Sequence, residues 1–179
     1  MNTPLPEPQY VTSLEEVLWG GLLVAITMAM HGFGMLAVLR VNHAVKYWFK
    51  KKTDIASGLV PVILASWMIM LVHLTEVAVW AGFFSWQDAF PSRSVSYYFS
   101  LNEYTTVGSN FNLPLHWRLL EGMIATAGLL TFAWSTGILI TLAQEFQDQQ
   151  LQALKQRGEK HSTAATPAPN HPLNKTEKK

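Results

Sequence analysis

From Val17 to Leu39 the chain runs for 23 residues with no charged side chain and a single histidine, His31. As a helix rising 1.5 Å per residue, this stretch is about 35 Å long, enough to cross a hydrocarbon core of about 30 Å. Ala56 to Phe84 and Leu119 to Ala143 are two further apolar runs of membrane length. Lipid offers no partner to a backbone N–H or C=O, so a segment at that depth must satisfy its own groups, and these three runs predict helices. The expected fold class is therefore an all-α membrane protein with three transmembrane helices.

The placement of charge supports this reading and gives it a direction. Only 14% of the residues are charged, against roughly 25% in an average soluble domain. Thirteen basic and twelve acidic residues leave a net charge of +1, which argues against a nucleic-acid partner. With no cysteine, neither disulfide nor thiolate chemistry is available. Arg40, Lys46, Lys50, Lys51 and Lys52 follow the first run, and Lys155, Arg157, Lys160, Lys175, Lys178 and Lys179 follow the third. By the positive-inside rule the N-terminus is outside and the C-terminus cytoplasmic, which predicts a multi-pass protein of the plasma (inner) membrane.

Between the second and third runs lies a segment that a plain hairpin does not need. Val95 to Tyr104 is about ten residues, roughly 15 Å of helix, too short to cross a bilayer and suited to a re-entrant half-helix. It leads into Leu101 to Phe111, a polar passage containing Thr105-Thr106-Val107-Gly108. Consecutive backbone carbonyls aimed at a common axis replace the hydration shell of a cation. This run resembles the selectivity filter of the potassium-channel superfamily. Ser96 to Leu101 is similar to that family's pore helix, and Trp117 to Leu120, Gly128 and Ser135-Thr136-Gly137 are similar to its inner helix. The likeness covers about residues 59 to 142. It departs after Gly108, where Ser109-Asn110-Phe111 stands in place of the usual Tyr-Gly-Asp.

The resemblance implies a tetrameric channel with three membrane helices, a pore helix and a filter loop, conducting K+ or another monovalent cation. It implies no enzymatic activity and no cofactor, and its partners are three copies of the same chain and the lipid bilayer. The carbonyls of Thr105, Thr106, Val107, Gly108 and Ser109 would hold the ion. Asn102, Glu103 and Asn110 would support them, Gly108 and Asn110 being the residues that enter the left-handed backbone region most readily. Gly128 falls at the family's inner-helix hinge, although close helix packing explains a glycine there equally well. The competing class is a channel-like accessory or structural subunit that does not conduct.

The implied organisation is an extracytoplasmic lead at 1–13, an extra transmembrane helix at 14–40, a basic cytoplasmic loop at 41–55 and a pore domain at 56–144. A cytoplasmic helix extension and a disordered tail fill 145–179. Within the membrane, His73 and Glu76 form an i, i+3 polar pair. His31 invites a metal site shared with them. Counting from the ends of the apolar runs, however, puts His31 about 12 Å and His73 about 24 Å from the inner boundary. That difference predicts no metal beyond the permeant cation.

Overall fold

A computed structural model describes residues 10–49 and 55–164 of the chain. Four α-helices account for nearly all of it: α1 (Leu14–Phe49), α2 (Ile55–Trp86), α3 (Arg93–Tyr104) and α4 (Leu119–Ala164), with a 3-10 turn at Leu115–Trp117 before α4. Among the described residues there is no strand. α1, α2 and α4 are each long and apolar enough to cross a membrane, which is compatible with a multi-pass membrane protein. Most of the residues in these apolar stretches face outward. Leu18, Leu22, Phe33, Trp67, Leu71, Leu129 and Trp134 are all exposed, a surface suited to lipid rather than water.

The helix starts follow local chemistry. Ser13 caps α1 by accepting from the Glu16 backbone N–H at 3.1 Å, and Ser92 caps α3 through the Val95 N–H at 3.3 Å. Each cap satisfies one of the donors that a helix N-terminus leaves free. Glu16 is completely buried and reaches across to α4, where it accepts from the Leu119 backbone N–H. One carboxylate thus satisfies one of the free donors at the start of a second helix.

The three long helices bury two apolar layers. One gathers Leu23, Trp80, Phe84, Phe99, Trp117, Leu120 and Ile124 around α3. The other gathers Met35, Val38, Ala65, Ile69 and Leu142 toward the far end. Along each long helix the order is the same, so between the layers come His31 of α1, His73 and Glu76 of α2, and Thr131 and Ser135 of α4. All five are buried. A second polar tie, Trp80 Nε1–H to Thr27 Oγ1 at 3.0 Å, joins α2 to α1 within the first layer.

Two expectations about boundaries change. α1 does not stop at the last apolar residue: 41–49 of the supposed basic loop continue the helix to Phe49, and Lys46 there pairs with Glu145 of α4. Basic residues have good helix propensity, so loss of hydrophobicity alone did not end the helix. Similarly α4 continues through Gly158 to Ala164, taking in the start of the stretch expected to be disordered. Residues 1–9, 50–54 and 165–179, including most of the expected N-terminal lead and the three C-terminal prolines, lie outside the described residues.

Candidate functional site

Two chemically opposite regions meet at the C-terminal end of α3. The first is the loop that follows it. Helical structure ends at Tyr104, and the chain reverses through Thr106 at φ 60° and Gly108 at φ 82°. Positive φ is permitted at glycine without cost, but for a β-branched threonine it is a true outlier that surrounding contacts must hold. Asn110, expected to take that conformation, does not. The turn is completed two and four residues earlier.

Hydrogen bonds explain how the strained turn is held. The N–H groups of Thr105, Thr106, Val107 and Gly108 donate to the carbonyls of Leu101, Glu103, Asn102 and Asn102 at 3.1, 2.9, 2.9 and 3.3 Å. The Ser109 N–H donates to Glu103 Oε1 at 2.9 Å. Five consecutive donors are therefore consumed inward. Among the described residues no hydrogen bond reaches the carbonyl oxygens of these same five residues. Thr106, Val107 and Gly108 are exposed on the single chain, Val107 to 75%.

The three expected supporting residues divide. Asn102 acts through its carbonyl, while its side-chain amide turns back to Tyr98 O at 2.7 Å. Glu103 braces the loop directly. Burial, opposed by the Ser109 N–H and reinforced by the charge of Glu121, raises its carboxyl above the ordinary glutamate range. Asn110 makes no such contact, and Phe111 instead sets its ring against Phe90 and Tyr98. Glu121 secures the return by accepting from the Leu113 N–H at 2.8 Å.

Gly128 packs α4 against this same helix end. A Cβ built there would lie 1.9 Å from the Tyr104 carbonyl oxygen, so any side chain would push α3 away. Close approach is a sufficient reason for the glycine, and α4 passes through it without interruption.

The second region is the polar layer under the loop. His31 Nδ1 lies 2.9 Å from Glu76 Oε1. Tyr104 donates its hydroxyl hydrogen to Glu76 Oε2 and also contacts Thr131 Oγ1. His73 Nδ1 is 2.8 Å from the same phenol oxygen. Ser135 Oγ is within 3.0 Å of His73 Nε2 and 3.2 Å of His31 Nε2, and donates to Thr131 O at 2.9 Å. His73 stacks on Phe132 and His31 leans against Trp134. Four helices thus contribute to one buried cluster.

The expected His73–Glu76 pair exists at 3.5 Å, but it is only part of this cluster, and the expected separation of His31 is overturned. His31 is eighteen residues from the end of α1 at Phe49, and His73 eighteen from the start of α2 at Ile55. Both therefore sit about 27 Å along their helices from the connection between them. Ligand atoms of His31, His73 and Glu76 all fall within 4.8 Å of one another, so these three residues could share one metal ion. Tyr104, Thr131 and Ser135 were missed by sequence reasoning. The available signal was spacing: Gly128, Thr131 and Ser135 recur at three and four residues along one face of α4.

No protein family, characterised protein or solved structure matches this chain. The reading of the loop therefore rests on its own geometry.

Proposed function

We propose that the chain is one subunit of a homotetrameric pore-loop cation channel, in which residues 105–109 of four copies surround a common axis. The observation that carries this reading is the asymmetry of the loop. Its N–H groups are all turned inward, and among the described residues its carbonyl oxygens have no partner. A row of unpaired oxygens next to membrane-length helices is costly unless water or a cation meets it. Four such rows around an axis give the carbonyl ring that replaces the hydration shell of a permeating ion. α3, seated between α2 and α4, supplies the rigid base, and the Glu103 carboxylate fixes the outer end. Monovalent cations, K+ foremost, are the proposed permeant species. α1 is the additional helix of this architecture, and Gly128 keeps the inner helix close to the filter base.

Ion efflux from liposomes containing the full chain tests this reading. Potassium efflux above that of empty liposomes is expected, together with its loss in Gly108→Val, because valine at φ 82° distorts the loop. Protein that remains folded and reconstituted but passes neither potassium nor sodium would favour the non-conducting accessory subunit. So would flux unchanged by Gly108→Val.

A further inference from the structure

The geometry points to a divalent metal site of the zinc type, built from His31 Nδ1, His73 Nδ1, Glu76 and Tyr104 Oη in the buried polar layer. The inference stands independently of the channel reading.

It follows from counting hydrogens. Ser135 has a single hydroxyl hydrogen, and its contact with Thr131 O at 2.9 Å requires it, because a carbonyl has none to give. Both imidazole contacts to Ser135 Oγ must then be N–H donations from Nε2. With the serine hydrogen on Thr131 O, both neutral histidines take the Nε2–H tautomer and both Nδ1 lone pairs are bare. Those lone pairs face Glu76 Oε1 at 2.9 Å, Glu76 Oε2 at 3.5 Å and Tyr104 Oη at 2.8 Å. Four electron-rich atoms, the two Nδ1 and the two Glu76 oxygens, therefore have one hydrogen directed among them, that of Tyr104.

Such a cage needs positive charge at its centre. Two protons, one on each imidazole, would fill the gaps and bring the cluster to a net charge of +1. One divalent ion beside the ionised Glu76 brings the same net charge and meets every bare lone pair at once. Around a tetrahedral ion with bonds near ~2.1 Å, neighbouring ligand atoms sit about 3.4 Å apart. The 2.9 Å between His31 Nδ1 and Glu76 Oε1 is close to that spacing, and one ligand atom from each of His31, His73 and Glu76 lies within 4.8 Å of the other two.

The surroundings have the form of a metal site's outer shell. Metal-binding histidines donate their second N–H to a fixed acceptor, and here one serine receives both. Glu76 Oε1 and the two Nδ1 atoms supply three bonds. Tyr104 Oη supplies the fourth through a lone pair while it still donates its hydrogen to Glu76 Oε2. Two nitrogens with oxygens suit zinc or a similar first-row ion, whereas calcium and magnesium prefer all-oxygen shells. Buried within the helices, the site would clamp α1 and α2 to the residue that precedes Thr105.

The test uses the untagged full-length chain in detergent, stripped with a chelator and titrated at fixed pH with Zn2+ or Co2+. One ion per chain is expected, with a higher melting temperature and the intense visible absorption of tetrahedral Co2+. His31→Gln should abolish all three effects, and Ser135→Ala should weaken binding about 10- to 100-fold. His43→Gln and His116→Gln, at exposed positions, should leave them unchanged. Should His31→Gln fail to fold, the Co2+ spectrum of the unmodified chain decides alone. The proposal is overturned by the absence of a tetrahedral Co2+ spectrum, or by a melting temperature that follows pH but ignores both metals. The second result would make the cluster a proton site.

Discussion

Tyr104 and Thr106 are two residues apart and belong to different kinds of matter. The Tyr104 side chain is buried with its hydroxyl shared among Glu76, Thr131 and His73. Thr106 is exposed, strained and followed by carbonyls that nothing in the described chain satisfies. The first region is over-determined by contacts, and the second is held from behind and left open in front. Side chains in the buried layer should thus govern stability, whereas those in the loop should govern what passes over it.

Glu76→Ala is the harshest test of this division. It removes the carboxylate around which the polar layer is built and strands His31 and the Tyr104 hydroxyl in an apolar interior. A loss of several kcal/mol is expected, at about 1–3 kcal/mol for each buried polar group left without its partner, and denaturation in detergent would measure it. A loss below about 1 kcal/mol would mean that the layer is hydrated and the contrast false. Gly128→Ala comes next. Its new methyl would displace the Tyr104 carbonyl, costing about 1–3 kcal/mol as overpacking does. Because that carbonyl adjoins Thr105, flux should fall as well.

Glu103→Gln sharpens the comparison from the other side. An amide oxygen still accepts from the Ser109 N–H, but without the charge, so stability should change by about 1 kcal/mol or less while ion flux changes several-fold. Equal effects on both would place Glu103 with the buried layer instead. The smallest effect on folding is expected at Val107→Thr, which is 75% exposed and should stay within about 0.5 kcal/mol. Flux, measured on the same protein, should still respond.

Much of this arrangement was legible in the sequence, because apolar runs of membrane length follow a simple code. Three apolar runs gave the three long helices, and a segment too short to span gave α3, within two residues of its start. The polar cluster was not legible, for a specific reason. Depth was counted from the last apolar residue, Leu39, whereas α1 continues as helix through Lys46 to Phe49. That ten-residue extension brings His31 level with His73. Tyr104 and Ser135 carry no special signal one at a time, since only tertiary packing turns a tyrosine at a helix end and a serine in a membrane run into partners. In the loop, Gly108 was the recognisable turn residue. The strain at Thr106 was hidden, because no propensity argument assigns a threonine to positive φ.

Direct imaging of the protein in lipid nanodiscs tests the central claim most closely. Particles should show four chains about one axis, with the carbonyl oxygens of residues 105–108 facing each other across it. Single chains or pairs, or loops turned outward to the lipid, would contradict the account.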